Sequence, residues 1–407
     1  MTRVLVLNSG SSSLKYRLFD GADTVARGVI QRIGEPGGEA PDHRSALRYV
    51  MDEIDIGELT AVGHRVVHGG ERFSAPTVIS DDVVADIEAL VPLAPLHNPA
   101  ALTGIAVARM LLPGVPQMAV FDTAFHATIP PEGVTWAIDA DLAKRWRIRR
   151  YGFHGTSHAY VARKTAELLG RDPAETNVIT LHLGNGASAC AVRGGRSVAT
   201  SMGMSPLSGL VMGTRCGDID PTVVFHLHRV AGLSVDEIET SLTRHAGLLG
   251  LCGDNDSRAV VERRAAGDEA ATLAFDIYCR RIREYVGAYL AVLGRADAIA
   301  CTAGIGEHSP ETRAAALSDL QGLGITIDPG RNQRNATIIS PDDSRTAVLV
   351  VPTDEELEIA HQVRRALRLT SACSAGEPDP LRGMEQRQAG ARIRRHGNTP
   401  AVTECLA

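Results

Sequence analysis

The chain has 407 residues, a net charge of −6 at pH 7, and 44% hydrophobic, 22% charged and 4% aromatic residues. At roughly 100–200 residues per domain this length predicts two or three soluble domains, and the acidic balance argues against a nucleic acid or an anionic membrane as partner. No apolar run predicts a transmembrane helix and the N-terminus lacks a signal-peptide pattern. Seven cysteines without a CxxC pair indicate a reducing cytoplasm.

The chain opens with a strand–turn–strand pattern. Residues 4–8 (VLVLN) are a short apolar run, 9–13 (SGSSS) a turn rich in hydroxyl groups, and 14–20 (LKYRLFD) alternate apolar with polar residues. The pattern predicts a β-hairpin whose tip, with its N–H groups, hydroxyls and the Lys15 ammonium, can hold a phosphate. An ordinary solvated hairpin is the alternative, and a Walker loop is excluded because GxxxxGK[ST] is absent.

A similar pattern recurs near the middle of the chain. Strands are predicted at 177–183, 189–192 and 197–201, separated by the turns 184–188 (GNGAS) and 193–196 (RGGR). A strand, and not the helix of a dinucleotide-binding fold, follows the GxGxxA spacing, which disfavours a Rossmann-type dehydrogenase. We therefore predict a second phosphate-facing hairpin, with an ordinary tight turn as the alternative, and two similar halves that share a cleft.

Strands and helices alternate through the rest of the chain, which predicts an α/β fold. The predicted elements are helices at 81–91, 99–112, 155–169 and 268–293, a buried strand at 116–125, a strand over 297–309 that ends in a Gly-rich turn, a helix from Pro310, and a strand, Pro turn and helix over 346–367. The helix at 155–169 is predicted to begin behind a Thr/Ser cap. Residues 371–407 are predicted to be a mobile tail.

Four charged residues lie where a ligand or a buried partner is expected. Arg65 lies at a predicted strand in HRVVHGG, a segment that ends an apolar run, and Arg215 lies between glycines in MGTRCGD. Such arginines bind either a protein carboxylate or an anionic ligand. Asp122 and Glu355 each follow a predicted strand, where α/β proteins bind ligands, and could hold a hydrated Mg²⁺. A helix-capping role is the alternative for both carboxylates.

The sequence supports neither a zinc-peptidase site nor a serine-hydrolase site. His154 and His158 in GFHGTSH have the i, i+4 spacing of a zinc helix, but Gly155 stands where HExxH has its general base. His97 in PLHNP is interpreted as a turn residue or an outer partner of the site. The GxSxG elbow of serine hydrolases is absent.

Together these segments resemble the acetate kinase family. The matching strings are VLVLNSGSSSLKYRLFD, GHRVVHGGERF, LAPLHNP, FDTAFH, YGFHGTSH, HLGNG, SPLSGLVMGTRCGDIDP, TAGIGE and VPTDEELEIA, in the family's order over residues 1–20 and 60–368. The resemblance implies a duplicated two-domain, actin-like ATPase fold with ribonuclease H-like halves and nucleotide in the interdomain cleft. The implied domains are 1–123 plus 357–370 (N-terminal acetokinase domain) and 124–356 (C-terminal nucleotide-binding domain).

The resemblance also implies an activity: reversible, Mg²⁺-dependent transfer of the γ-phosphoryl group of ATP to acetate by direct in-line displacement, giving acetyl phosphate and ADP. It further implies Mn²⁺ as an alternative metal and a homodimer as the assembly. A propionate or butyrate kinase on the same fold is the nearest alternative. A non-catalytic, nucleotide-switched actin-like module is a remote one.

Site residues are implied by the same motifs. The implied catalytic residues are Asp122, His154, Arg215 and Arg65, and those that bind the acid are Arg65, Val67, Leu96, Phe153 and Pro206. The implied nucleotide-binding residues are Ser11, Ser13, Lys15, His182, Leu183, Gly184, Asn185, Gly186, Asp256, Ser257, Arg258, Gly304, Ile305, Gly306, Glu307 and His308. The implied Mg²⁺ ligands are Asn8 and Glu355.

Three features depart from the family pattern. The segment between the first hairpin and His64 is shorter than the family norm, so its topology is not assigned. His308 stands where the family usually has Asn, and CGDNDSR replaces the commoner SGxSxDxR. Both changes lie near the implied nucleoside site, which leaves the preference for ATP over GTP open. The tail after about residue 370 has no counterpart in the family.

Overall fold

The computed structural model describes residues 3–54, 59–95 and 97–374. Leu96, which the family motifs place in the acid pocket, lies outside the described residues. Residues 375–407 of the predicted tail also lie outside the described residues. The first four residues of that tail, 371–374, belong to a helix that ends at Ser374.

The described strands form two mixed sheets. The strands are β1 (Arg3–Ser9), β2 (Ser13–Asp20), β3 (Asp23–Gln31), β4 (Leu59–Val66), β5 (Thr77–Val78), β6 (Gln117–Phe121), β7 (Asn177–Leu183), β8 (Ala187–Arg193), β9 (Arg196–Thr200), β10 (Ala298–Thr302) and β11 (Ala347–Val350). The sheet orders are β3-β2-β1-β4-β6-β5 and β11-β10-β7-β8-β9.

The two sheets repeat one topology. Strands β1, β2 and β3 form an antiparallel meander, and β4 and β6 continue the sheet parallel to β1 on its other side. Strands β7, β8 and β9 form the second meander, continued in parallel by β10 and β11. The predicted α/β fold of two similar halves, each with a polar hairpin, is confirmed.

Helices connect and cover the sheets. They are α1 (His43–Glu53), α2 (Asp81–Glu88), α3 (Asn98–Leu111), α4 (Pro131–Val134), α5 (Ala140–Arg145), α6 (Gly155–Leu168), α7 (Thr222–Arg229), α8 (Val235–Arg244), α9 (Gly247–Cys252), α10 (Ser257–Ala265), α11 (Glu269–Leu293), α12 (Ala303–His308), α13 (Pro310–Ala316), α14 (Pro329–Gln333) and α15 (Glu355–Ser374). Short 3-10 helices lie at Val91–Leu93, Ala124–Thr128, Pro173–Glu175 and Gln321–Leu323.

The C-terminal helix α15 packs on the first sheet, although the second sheet lies between them in the chain. Its apolar side chains at Ile359, Ala360 and Val363 are buried with Val4 and other residues of β1, β2, β4 and β6. Their i, i+1, i+4 spacing places them on one helix face, and each large apolar side chain contributes about 1.5–3 kcal/mol on burial. This packing holds the start of α15 beside the carboxyl ends of β4 and β6.

The segment left unassigned from the sequence contributes β3 and α1 to the first half. Asp42 caps α1 by accepting a hydrogen bond from the backbone N–H of Ser45. His43, at the start of α1, bonds the carbonyl oxygen of Gly10 over 2.9 Å. The segment thus completes the first meander and supports the tip of the first hairpin.

Two local predictions were wrong. The GIGEH segment is the helix α12 and not a turn: a Glu307 carboxylate oxygen accepts a hydrogen bond from the backbone N–H of Ala303 over 2.8 Å, which satisfies a donor at the helix start. The helix at 155–169 does not begin behind a Thr/Ser cap. Its N-cap is His154, with a left-handed φ of 55° and no side-chain cap.

Buried histidines predict loss of stability in acid. His64 bonds Oε1 of Gln117 over 2.6 Å inside the first sheet, and burial lowers its pKa to about 4. An unfolded histidine has a pKa of about 6.5, so the unfolded chain binds the proton first. The contribution of neutral His64 to the free energy of unfolding is complete above pH ~6.5. As the pH falls towards 4, the free energy of unfolding decreases by roughly 3 kcal/mol because the unfolded chain binds this proton.

This dependence is measured by urea unfolding midpoints between pH 8 and pH 4.5. The variant His64→Gln keeps a donor for Gln117 and does not titrate, so we expect its midpoint to fall less in acid than that of the wild type. Equal slopes in the two proteins would contradict the assignment to His64.

Candidate active site

An ion pair between Arg65 and Asp122 lies at the carboxyl ends of β4 and β6. These strands are parallel neighbours, with Val66 opposite Phe121. Two N–H groups of Arg65 donate to the two carboxylate oxygens of Asp122, over 3.0 and 2.6 Å, and the Asp122 side chain is 1% exposed. Burial raises the pKa of Asp122 and the charge of Arg65 opposes that change. The guanidinium therefore favours the ionised carboxylate.

Glu355 brings a second carboxylate close to this pair. It is the first residue of α15 and accepts a hydrogen bond from Oγ1 of Thr156 over 3.0 Å. Burial raises its pKa, but Arg65, His182, the hydrogen bond from Thr156 and Lys15 together lower it below the usual value. Because Arg65 and Lys15 belong to the first half and His182 to the second, Glu355 lies where the halves meet.

Ligands for a metal ion are few at this place. Asn8 lies on β1 directly opposite Lys15 in the first hairpin. The described residues hold no cluster of three or more His, Cys, Asp or Glu side chains that could bind a metal ion by themselves. A metal ion bound here would therefore take most of its ligands from water and a bound anion.

His154 lies at the junction of the two halves. The backbone N–H that follows it, at Gly155, donates to the carbonyl oxygen of Asp122 over 3.0 Å. A Cβ at Gly155 would lie 2.1 Å from that oxygen, so the contact requires glycine. The His154 ring stacks on His182, with 4.2 Å between the centroids. Burial, and then the charges of neighbouring histidines and arginines, lower the pKa of His154 well below its usual value, so its ring is neutral.

Arg215 faces the same place from the loop after β9. One Nη donates to the carbonyl oxygen of Pro206 over 2.8 Å and also contacts the sulfur of Met212. A Cβ built on Gly186 would lie 3.5 Å from the His154 ring and 3.7 Å from this Nη, so the tip of the second hairpin lies against both groups.

Arg65 and Arg215, the two arginines implied to be catalytic, influence the same histidines. Burial lowers the pKa values of His154 and His97, and Arg65 and Arg215 lower them further. Arg65 is paired with Asp122, whereas Arg215 donates to a carbonyl oxygen and contacts a sulfur.

Both hairpin tips carry the predicted small and polar residues. In the first, the N–H of Gly10 donates to the carbonyl oxygen of Ser13 over 2.8 Å, and Ser11 and Lys15 are exposed. In the second, the N–H of Gly184 donates to the carbonyl oxygen of Gly186 over 3.1 Å. His182 and Leu183 are the last residues of β7 and are buried, and Asn185 at the tip is exposed.

The two predicted nucleoside segments flank the second hairpin. A Cβ built on Gly184 would lie 3.7 Å from the Cβ of Ala303, at the start of α12, and one built on Gly306 of the same helix would lie 3.3 Å from Cys301 and 3.6 Å from Leu181. On the other side, Gly213 lies against both Asn185 and Asn255. Two segments thus border this hairpin: α12, with Gly304, Ile305, Gly306, Glu307 and His308, and the start of α10, with Asp256, Ser257 and Arg258.

Within these segments two carboxylates are already engaged. Asp256 caps α10 and pairs with the exposed Arg258 over 2.7 Å. Glu307 bonds the N–H groups of Ala303 and Thr353. The second of these contacts ties α12 to the loop that leads to Glu355.

Apolar residues predicted for the acid pocket lie beside the arginines. Val67 directly follows β4 and packs on the same core cluster as Phe153, which is 2% exposed. The Phe153 ring contacts that of His68, with 5.6 Å between the centroids. Pro206 contacts Arg215 through its carbonyl oxygen.

Several hydroxyl groups that hold the site were not predicted. Ser188 of β8 bonds His154 over 2.9 Å and His158 over 2.8 Å, and Ser157 bonds His182 over 2.8 Å. The available signal was the run GTSH, whose hydroxyl groups were interpreted as a helix cap. The i, i+4 histidines share one serine, an arrangement that their spacing alone does not reveal.

Known proteins are similar to this chain over most of its length. The model of the acetokinase family matches residues 3–361. An acetate kinase of Streptomyces griseus is 58% identical over 391 residues, covering 88% of this chain and 95% of that protein. One of Streptomyces coelicolor is 57% identical over 390 residues, covering 89% and 96%.

Solved structures show the same fold. Acetate kinase of Porphyromonas gingivalis has a TM-score of 0.85 at 40% identity, covering 90% of this chain and 100% of that one. A propionate kinase of Francisella tularensis has a TM-score of 0.84 at 39% identity, covering 89% of this chain and 99% of that one.

Among the helices in the described part of the chain, none combines the length and the apolar character that a membrane span requires.

Proposed function

The chain belongs to the acetokinase family, and from this premise we propose that it transfers the γ-phosphoryl group of ATP to acetate, reversibly, giving acetyl phosphate and ADP. The observation that carries the proposal is that His154 adjoins both arginines, which come from different halves. The N–H after it, at Gly155, donates over 3.0 Å to Asp122, the partner of Arg65, and a Cβ built on Gly186 would lie 3.5 Å from the His154 ring and 3.7 Å from an Nη of Arg215. A cleft with two guanidinium groups suits a reaction in which a carboxylate attacks a phosphoryl group, because both reactants are anions.

The chemistry requires positive charge more than a base. A carboxylic acid has a pKa of about 4 and is already ionised, and therefore nucleophilic, at pH 7. The site must offset charge along the line from the attacking carboxylate through the phosphoryl group to the leaving diphosphate. We propose that Arg65 binds the acid, that His154 and Arg215 stabilise the transition state, and that Asp122 orients Arg65 and removes no proton.

Mg²⁺ fits the residues proposed to hold it. Asn8 and Glu355 would supply an amide and a carboxylate oxygen, which suits an ion that keeps several waters and binds substrate phosphates. The Glu355 carboxylate is ionised, as a metal ligand must be, because cationic neighbours lower its pKa. When bound, the ion would offset phosphate charge. Mn²⁺ has the same ligand preference.

Binding of the nucleotide is proposed for the residues around both hairpins. The hydroxyl groups of Ser11 and Ser13, the ammonium group of Lys15 and the N–H groups of the second hairpin would face the phosphates. Segments 256–258 and 304–308 would surround the nucleoside. Closure of the cleft between the proposed domains, 1–123 with 357–370 and 124–356, would exclude water and so limit hydrolysis of ATP or acyl phosphate.

The size of the acid is the finer question, and a propionate kinase is among the similar structures. We expect Val67→Ala to weaken discrimination against longer acids by about 1–3 kcal/mol per methylene at most. The measurement is the ratio of kcat/KM for acetate to that for butyrate. Val292→Ala, at an exposed position of α11, is the matched control. An unchanged ratio in Val67→Ala would remove Val67 from the pocket.

Acetyl hydroxamate formation tests the activity directly. We expect it from acetate, ATP and Mg²⁺ with hydroxylamine present, and parallel assays with propionate and butyrate rank the acids.

Chiral γ-phosphoryl ATP tests the single displacement, for which we expect inversion at phosphorus. Retention would indicate a phosphorylated enzyme, and absence of acid-dependent ADP release would indicate a nucleotide-switched module.

We infer a homodimer in the cytoplasm. Helix α7 has no buried residue, and Phe225, Val230 and Val235 on and beside it are 52%, 71% and 67% exposed. Exposed apolar groups of this kind favour association, and sedimentation velocity would give the mass of the assembly.

The described cysteines, Cys190, Cys216, Cys252, Cys279 and Cys301, are free thiols, which supports a reducing compartment.

A further inference from the structure

A chain of hydrogen bonds runs from the interior of the second sheet to His154. Oγ1 of Thr180 lies 2.7 Å from Nδ1 of His158, and Nε2 of His158 lies 2.8 Å from Oγ of Ser188. The same Ser188 oxygen lies 2.9 Å from Nδ1 of His154. Thr180, His158 and Ser188 are all fully buried, so water does not compete for these bonds.

The proton count allows two directions for this chain. Each hydroxyl and each neutral imidazole carries one proton, which makes four protons for three internal bonds. The Ser188 oxygen could instead accept from both rings, but its own proton would then have no acceptor among the described residues, because its hydrogen bonds go to these two rings. The fourth proton therefore leaves the chain at one end. It lies either on Thr180, whose hydroxyl can also reach the carbonyl oxygen of Cys190 at 3.5 Å, or on Nε2 of His154.

The two directions give His154 opposite tautomers. If Thr180 donates to His158, then His158 donates to Ser188, Ser188 donates to Nδ1 of His154, and Nε2 of His154 carries a proton. If every donor is reversed, Nδ1 of His154 carries the proton and Nε2 is a bare acceptor. The Nε2 edge of the ring faces Gly186, beside Arg215.

We propose that Thr180, His158 and Ser188 form a positioning relay that holds the His154 proton on Nε2, directed at the phosphoryl group in transfer. This inference rests on the proposed function. His158 touches no reacting atom and acts through Ser188 and His154.

Two observations favour this direction. The oxygens of a transferring phosphoryl group only accept hydrogen bonds, so an anion at Nε2 is compatible with a proton there and incompatible with a bare nitrogen. The reversed chain would end on the 3.5 Å Thr180 contact, which is at the limit for a hydrogen bond. Burial lowers the pKa values of both histidines well below the usual value, which keeps one proton on each ring.

Nitrogen NMR of the full chain labelled with ¹⁵N-histidine reads the tautomer directly. The sample contains Mg²⁺, acetate and an ATP analogue that does not transfer its γ-phosphoryl group, and the variant His154→Gln assigns the signal. We expect a protonated Nε2 and a bare Nδ1 on His154. A protonated Nδ1 with a bare Nε2 overturns the proposal. In Ser188→Ala, which removes one buried oxygen, we expect the preference for Nε2 to be lost.

Kinetics test whether His158 acts through His154. His158→Leu removes the donor to Ser188, and we expect kcat to fall about tenfold or more with KM within about twofold. A serine-protease triad with the wrong histidine tautomer loses on the order of 10⁴ in kcat. His158→Gln can keep an N–H near the Nε2 position, and we expect most of kcat to return.

The double variant separates positioning from structure. In a His154→Ala background we expect His158→Leu to cost no further kcat, because the relay then has nothing to orient. An equal loss in both backgrounds overturns the relay. Failure of the proposed function is recognised separately: His154→Ala would then retain the wild-type rate, or no acetyl phosphate would form, whatever the NMR tautomer.

Discussion

Replacement of Arg215 with alanine is expected to lower kcat by about 10²- to 10⁴-fold, or ~3–5 kcal/mol, and to leave nucleotide affinity nearly unchanged. Arg215 donates hydrogen bonds to the carbonyl oxygen of Pro206 and the sulfur of Met212, and neither is an anion. Its charge is therefore available to an anion beside His154. The measurement is steady-state kcat in the hydroxamate assay, together with the dissociation constant of ADP.

Arg280→Ala is the matched control for this variant. Arg280 is 80% exposed and pairs with Glu284 one turn along α11, and surface pairs of this kind contribute little. We expect wild-type kcat from the control. Near-normal turnover in Arg215→Ala would remove Arg215 from the mechanism, and a parallel rise in the ADP dissociation constant would reassign it to nucleotide binding.

Arg65→Ala is expected to lower kcat/KM for acetate by about 10³-fold and to destabilise the fold by about 3–5 kcal/mol. The kinetic loss arises because the acid loses its cationic partner. The loss of stability arises because Asp122, which is 1% exposed and bonded twice to Arg65, becomes a buried carboxylate without that partner. The measurements are kcat/KM and the urea unfolding midpoint.

The double variant Arg65→Ala/Asp122→Ala separates the two effects. Removing both partners leaves no unpaired buried charge, so we expect the unfolding midpoint to recover while kcat/KM stays low. Recovery of both would reduce Arg65 to a structural partner of Asp122. Arg109→Ala, which breaks an exposed pair with Asp81, is the control and should change neither quantity.

Local patterns in the sequence predicted the repeated part of the fold well. Alternation and turn composition at 4–20 and 177–201 indicated both hairpins, because side-chain direction in a strand depends on neighbours two positions away. The same reasoning failed for GIGEH. Two glycines predict a turn, but the Glu307 carboxylate bonds the Ala303 N–H and Thr353 from another segment, which stabilises α12.

The helix start at residue 155 was mispredicted for a related reason. Thr156 and Ser157 are good capping residues, but their hydroxyl groups bond Glu355 and His182 instead. A capping pattern in the sequence predicts hydrogen bonds between a side chain and its own helix, but it does not show whether a distant residue competes for that side chain. Here the distant bonds prevail, and His154 takes the cap position with a left-handed backbone.

The sequence by itself determined the α/β class, the duplicated hairpins and the residue types available for phosphoryl transfer, since composition and short-range periodicity suffice for these. Only the tertiary structure decided which charges meet: Arg65 with Asp122, 57 positions apart, and His154 with His158 through Ser188. Such contacts depend on how strands and helices from both halves pack. Packing also removes water. Burial then keeps the histidines neutral and allows a chain of hydrogen bonds to determine which ring nitrogen carries the proton.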